Sequence, residues 1–278
     1  MGEPTWQSDQ FDFDAYTARI GYTGPLEPTP GVLRELHTAH LAAIPFENLE
    51  IVLGRGIPLD LASLQAKLVG SRRGGYCFEQ NLLLAAALEH IGFDVEGLGA
   101  RVRLGAGRLL PTTHALLRVR IEDESWITDV GFGAFCVLTP LPLRDGAAAT
   151  VGGFGFRLGR AGGGWMLYGS EPMSGGQETD LYSFDESPRL PVDYEVGNYY
   201  TSTHPRSPFT GRVVVQRAAP GRRSRLLGDE FIVDRPDGRR ETRRVAPEET
   251  PELLAAEFGI RLEAADAAAL VDFQRAVG

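Results

Sequence analysis

The sequence predicts an α+β fold in three successive parts. Three observations predict it: capped, apolar-periodic segments through the first ninety-odd residues, short β-type runs between glycine-rich turns after them, and further strands leading into a helical tail. Asp12 stands as an N-cap before Phe13, Tyr16 and Ile20, which recur at helical spacing. Thr29-Pro30 offers a cap followed by proline at the first helical position, leading into Val32, Leu33, Leu36 and His40. A short third helix starts at Asp60, aligns Leu61, Leu64 and Leu68, and stops at Gly70. The fourth spans 77–90 and begins at a cysteine, carrying Leu82, Leu83, Ala86 and Leu88 ahead of Gly92. The runs 115–121, 125–130, 150–158 and 165–168 then predict a small antiparallel sheet or barrel. After a polar connection over 185–191, strands are expected at 212–216 and 230–233. Thr250 caps and Pro251 opens a helix closed by Gly259, and 264–277 forms a last, alanine-rich helix. The changes of pattern divide the chain into a helical part (1–92), a β part (93–190), a connection (191–210) and an α/β part (211–278).

At 278 residues, 43% hydrophobic and 23% charged, the chain has the composition of an ordinary packed protein. Its net charge of −9 argues against nucleic acid, because phosphate recognition needs a concentrated excess of Lys and Arg. The start Met1-Gly2-Glu3-Pro4-Thr5-Trp6 lacks the basic and apolar regions of a secretion signal. No stretch approaches the roughly 18 apolar residues that span a bilayer. A cytoplasmic protein with no membrane partner is expected. The two cysteines, Cys77 and Cys136, are then expected as free thiols, since that compartment is reducing. Cys136 lies in the apolar run 134–138 and reads as a buried, inert thiol. The sequence assigns no oligomeric state.

Arg72-Arg73-Gly74-Gly75-Tyr76-Cys77-Phe78-Glu79-Gln80-Asn81 places Cys77 after a glycine pair and at the start of a helix. Unpaired N–H groups and the positive end of the helix dipole stabilise a thiolate at such a position. His114 opens a β run, and Asp129 precedes the turn Gly131-Phe132-Gly133. Adjacent strands could bring the two together. Nucleophilic catalysis wants this set: the imidazole takes the thiol proton and the carboxylate fixes its tautomer. Taken singly, each residue has a plainer reading. Cys77 would be a packed small side chain, His114 a hydrogen-bonded structural histidine and Asp129 a turn-former. The order Cys, His, Asp occurs also in transglutaminase-like and peptidase-like hydrolases.

The ten-residue segment around Cys77 resembles the active-site signature of the arylamine N-acetyltransferase family, of the bacterial type. The segments Tyr16 to Gly21 and Ile44-Pro45-Phe46-Glu47-Asn48-Leu49 are similar to its N-terminal segments. Thr113-His114 and Asp129-Val130-Gly131-Phe132-Gly133 look like its His and Asp motifs. Asn198-Tyr199-Tyr200-Thr201-Ser202, with Pro208-Phe209, resembles the stretch leading into its third part. The resemblance covers most of residues 10 to 210; beyond about residue 211 the assignment rests on length and order. It implies a helical bundle carrying the cysteine, a central antiparallel β-barrel carrying His and Asp, and a C-terminal α/β lid. It implies a cysteine-protease-like triad of Cys77, His114 and Asp129, acetyl-coenzyme A as donor, no metal, and a ping-pong cycle. The acceptors would be arylamines, hydrazines or arylhydroxylamines, as in xenobiotic metabolism.

An aryl ring needs flat apolar walls, and Phe46, Phe132 and Phe209 flank these motifs; Thr113 beside His114 is placed to touch donor or acceptor. Gly152-Gly153 and Gly162-Gly163-Gly164 read as ordinary turns, and Arg239-Arg240 with Arg243-Arg244 as a solvated strand face. Three alternatives stay open. Some members of the family are amide synthases that close macrolactams on a carrier-bound polyketide; a transglutaminase-like or peptidase-like hydrolase could use the same residues; and a binding domain could leave Cys77 merely packed.

Overall fold

The structure is a computed structural model that describes residues 4–104, 106, 108–170 and 177–277. Met1, Gly2 and Glu3, part of the start read above, lie outside the described residues. Helices α1 (Phe13–Ile20) and α2 (Pro30–Ala43) begin at the expected caps: Asp12 accepts from the Ala15 N–H at 2.9 Å and Thr29 from the Val32 N–H at 3.3 Å. A two-residue strand, β1 (Phe46–Glu47), and helix α3 (Leu49–Val52) follow. Helix α4 (Leu61–Leu64) is capped by Asp60 and widens into π-type turns over Gln65–Gly70. Helix α5 (Cys77–His90) is buried at every position from Cys77 to Leu88, so it forms the spine of the helical part.

Strands β2 (Asp94–Val102), β3 (His114–Ile121), β4 (Glu124–Thr128), β5 (Leu141–Pro142), β6 (Ala148–Val151), β7 (Phe154–Ala161), β8 (Gly164–Ser170) and β9 (Glu178–Phe184) form one antiparallel sheet. Its order is β5-β4-β3-β2-β9-β8-β7-β6. The segment 143–147 draws its two ends together: the Leu143 N–H donates to Ser125 O at 2.7 Å, and the Leu158 N–H to Ala147 O at 2.8 Å. The sheet is thereby a nearly closed barrel. The single strand expected at 150–158 is instead a hairpin, because Gly152 and Gly153 take φ of 56° and 85° and turn the chain. The strand expected at 125–130 stops at Thr128, which leaves Asp129 just beyond its end.

Helix α6 (Asp193–Thr203) occupies most of the expected connection. Its Tyr, Val and Thr content and Gly197 hide it from propensity, yet glycine is needed there, since a Cβ would lie 2.9 Å from Phe78 Cζ. Strands β10 (Val214–Ala219), β11 (Arg222–Leu227), β12 (Glu230–Asp234) and β13 (Arg240–Arg244) complete a second antiparallel sheet, β1-β10-β11-β12-β13. Strand β13 is exposed throughout, as its arginines led one to expect. Helices α7 (Thr250–Leu253) and α8 (Ala264–Val277) end the fold. Thr250 is not the cap: a 3-10 turn at Pro247–Glu249 already opens the helix, where Glu249 accepts from the Ala246 N–H at 3.0 Å. The Gly259 stop holds, with φ 70°. One core joins α1, α2 and α5 to the barrel; a second, around Val213, Phe231 and Phe258, takes Leu49 and Val52 from α3.

Two fully buried histidines on α2 hold this frame. His37 Nε2 donates to Val137 O at 2.8 Å and its Nδ1 faces the Thr128 hydroxyl at 2.7 Å. His40 Nδ1 faces the Tyr16 hydroxyl at 2.9 Å, and its Nε2 faces Gln80 Oε1 at 3.3 Å. Burial pushes His37 down to about 4 and His40 to about 3, so both are neutral when folded at pH 7. Below the unfolded value near 6.5 only the unfolded chain binds these protons, and each histidine costs about 1.4 kcal/mol of stability per pH unit. Urea unfolding is therefore expected to show stability falling as pH drops from about 6.5 towards 4. His40→Gln should flatten that slope by one proton; an unchanged slope would contradict the assignment.

Candidate active site

Helix α5 and the β3–β4 edge of the barrel meet at Cys77. The helix N-terminus is built by Glu79, whose Oε2 accepts from the Tyr76 N–H at 3.0 Å while its Oε1 takes Lys67 Nζ at 2.6 Å. The loop before it is tied by Arg73, whose Nε donates to Glu47 Oε1 at 3.1 Å, and by Gln80, whose Nε2 donates to Gly75 O at 2.8 Å. The Cys77 thiol, 6% exposed, points at Thr113 O at 3.7 Å.

His114, the first residue of β3, places Nε2 2.7 Å from Asp129 Oδ2. The other carboxylate oxygen of Asp129 accepts from Asn81 Nδ2 at 3.0 Å and from the Gly131 N–H at 2.8 Å. With Nε2 committed to the carboxylate, Nδ1 is the nitrogen left for the Cys77 sulfur. Burial alone would lower His114, but the Asp129 charge and hydrogen bond, together with Cys77, outweigh it and push it up to about 10. Burial likewise opposes ionisation of Asp129, but the His114 charge, with hydrogen bonds from His114, Asn81 and Gly131, holds its carboxyl below the usual range. The rings of Phe132 and Tyr182 flank His114 at 4.8 Å and 5.0 Å.

A cavity of about 470 Å³ opens on the thiol. Phe46, Thr113, Phe132 and Phe209, the four residues singled out for substrate, all line it, as do Cys77 and His114. Asp129 does not; it is sealed behind the imidazole. Phe209 packs on Phe46 at 5.7 Å, and its carbonyl accepts from Asn48 Nδ2 at 2.7 Å. Sequence reasoning gave no role to Asn81, though its place four residues after Cys77 sets it on the same helix face. Nor did it place Leu104, Leu109, Phe135 and Tyr200 in the cavity wall, since they come from loops and from the unforeseen α6. Cys136 is a free buried thiol whose sulfur accepts from the Phe132 N–H at 2.9 Å, so it shapes the turn that carries Phe132.

Gly131 marks how closely the two elements approach. A Cβ there would sit 2.5 Å from Cys77 Cα and 2.8 Å from Asn81 Nδ2, and backbone cannot yield as a flexible side chain can. Gly131→Ala is expected to lose about 100-fold in kcat/KM by displacing thiol from imidazole, while circular dichroism still reports a folded protein. Near wild-type turnover would show that the contact has room to relax.

Fold and site together define an α+β enzyme of the acyltransferase class. The profile of the N-acetyltransferase family matches residues 31–267. A Salmonella typhimurium protein named arylamine N-acetyltransferase / N-hydroxyarylamine O-acetyltransferase is 41% identical over 208 residues, 74% of this chain and 73% of that one. The chain belongs to the arylamine N-acetyltransferase family. The crystal structure of the Nocardia farcinica arylamine N-acetyltransferase superposes with a TM-score of 0.91 at 46% identity, covering 98% of each chain. That of the Mycobacterium marinum enzyme in complex with CoA gives 0.88 at 32% identity, covering 96% of this chain and 99% of that one.

Proposed function

We propose that this chain transfers an acetyl group from acetyl-coenzyme A to an arylamine, hydrazine or arylhydroxylamine through a thioester on Cys77. The observation that carries the reading is the convergence of Cys77 and His114 on one aromatic cavity, with His114 tied to a buried carboxylate at 2.7 Å. Cys77 Sγ attacks the acetyl carbon with its proton already held on His114. The tetrahedral adduct collapses, the carbon–sulfur bond to coenzyme A breaks, and the departing thiolate takes the proton from His114. The amine then attacks acetyl-Cys77, gives a proton to His114, and expels the Cys77 sulfur, so that sulfur and imidazole together again hold one proton. First-turn N–H groups of α5 have no carbonyl one turn back and are suited to the oxyanion. Asp129 keeps the imidazole in the productive tautomer.

In this reading Phe46, Phe132 and Phe209 wall the acceptor ring and Thr113 stands beside the reacting carbon. It divides the chain into a helical domain (1–92), a barrel domain (93–190), a connection (191–210) and a lid (211–278). Among the described residues no helix is long and apolar enough to cross a membrane, and we place the protein in the cytoplasm with coenzyme A and a small amine as its partners. The test is intact-mass analysis after exposure to acetyl-coenzyme A alone, then with an arylamine. One acetyl gained and then discharged to the amine supports the reading; steady coenzyme A release without amine would indicate a hydrolase.

A further inference from the structure

Lys67 is the only lysine in the chain, whose 28 Lys and Arg residues are otherwise all arginine. It lies on the π-type turns after α4, in a charged cleft of about 650 Å³ that shares no lining residue with the Cys77 cavity. Its ammonium stands 2.6 Å from Glu79 Oε1 and 3.9 Å from Glu47 Oε1. Its carbonyl accepts from the Arg73 N–H at 3.1 Å, so backbone and side chain both reach the loop that delivers Cys77. Glu79 is buried beside it, and its other oxygen takes the Tyr76 N–H at 3.0 Å. The nearby charges are committed elsewhere: Arg73 to Glu47 and Glu50, at 2.9 Å and 3.1 Å, and Arg55 to Glu50 and Asp266. Arg261 and Glu263 line the cleft as exposed side chains. Among the described residues Lys67 is the one cation paired with Glu79.

A carboxylate buried without a counter-charge takes up a proton, and its bond to an N–H then loses charge assistance. Burial raises the Glu79 carboxyl; Lys67 is the strongest influence drawing it back, ahead of the Tyr76 N–H, while the Glu47 charge adds to the rise. Glu47 Oε1 is already occupied by Nε and Nη2 of Arg73, so a compact ammonium fits where a second planar fork would crowd. Cys77 directly follows Tyr76 as the first residue of α5, so the bond from Tyr76 to Glu79 fixes the turn from which the thiol projects.

We propose that Lys67 is a positioning residue for the nucleophile: its charge holds the Glu79 carboxylate on the Tyr76 N–H, and that bond aims Cys77 at His114. Lys67 touches neither substrate nor the reacting atoms. Its effect on turnover rests on the acetyltransferase reading; its effect on the aim of the thiol is measured without it.

The test follows two rates by intact mass over about pH 6 to 9, acetylation of Cys77 by acetyl-coenzyme A and its alkylation by iodoacetamide. Lys67→Met keeps the length of the stem and removes the charge. The cap is present above the titration of Glu79 and lost as pH falls through it, so raising that titration moves the acid limb of both profiles upward. A shift of at least about one pH unit is expected, with acetylation about 30-fold slower than wild type at the acid end. Lys67→Met combined with Glu79→Gln removes both charges and keeps an oxygen for the Tyr76 N–H, so the wild-type profile should return with rates within about threefold. Lys67→Gln, which still offers an N–H to Glu79, should show the same shift in smaller measure and stands in if Lys67→Met does not fold. Unmoved profiles in the charge-removing variants, with only the melting temperature lowered, would overturn the proposal, because a merely structural pair leaves the pH dependence of the folded enzyme alone. A double variant as slow as the single would overturn it too. If wild type is alkylated but never acetylated, the acetyltransferase reading fails, and the alkylation profiles still decide the role of Lys67.

Discussion

Cys77→Ala and Cys77→Ser are expected to gain no acetyl group from acetyl-coenzyme A and to lose at least about 10⁴-fold in kcat/KM, since removing a covalent nucleophile removes the two-step route itself. The serine variant is the sharper control. It keeps the shape of the site, but a hydroxyl is a far weaker nucleophile than a thiol at neutral pH. No second thiol can substitute. Burial, with the nearby Asp129 charge, pushes Cys136 well above the ordinary thiol range, so it stays protonated and inert. An acetyl adduct on Cys77→Ala at the wild-type rate would move the nucleophile elsewhere and sink the mechanism.

Asp129→Asn is expected to lower kcat/KM by about 10³–10⁴-fold with little change in fold, because the imidazole would take the wrong tautomer. The hydrogen bonds decide which way the new amide faces. Asn81 Nδ2 and the Gly131 N–H both donate to one oxygen of Asp129, so that position must remain an acceptor. The amide nitrogen therefore faces His114 Nε2, and the ring must carry its proton on Nδ1, towards the sulfur it should deprotonate. The charge that lifts His114 to about 10 is lost as well, leaving burial to pull it down. Wild-type His114, raised in the folded state, contributes stability that is whole below about 6.5 and lost as pH rises through about 10. In Asp129→Asn that alkaline loss should vanish from pH-dependent unfolding curves. A rate within tenfold of wild type would mean that Asp129 only fills space.

The caps of α1 and α2 and the start of α5 were legible because side chain and backbone needs coincide there: Asp12, Thr29-Pro30 and the glycine pair before Cys77 are local signals. Strand β2 was not. Its Asp94, Glu96, Gly97 and Gly99 break the apolar pattern, yet the glycines exist for tertiary reasons: a Cβ on Gly97 would lie 2.7 Å from Arg189 O. Helix α6 was hidden for the same kind of reason, its Gly197 being required by Phe78. Cys77, His114 and Asp129 could be read because three residue types with one joint chemistry stood in motifs. Asn81 could not, since it is defined by what surrounds it in space rather than by its neighbours in the chain.

The two-residue strand β1 ties the ends of the chain together at the thiol. Phe46 pairs in register with Gln216 and bridges to Gly75, and Gln216 Oε1 in turn accepts from the Ala134 N–H at 2.7 Å. One short stitch thus joins the C-terminal sheet, the loop that presents Cys77 and the turn that follows Asp129. The C-terminal part is therefore no exchangeable module. A chimera that grafted residues 211–278 from a relative would have to bring, at position 216, a side chain that accepts from the Ala134 N–H, since the pairings of 46 with 216 and with 75 run backbone to backbone and ask for no particular side chain.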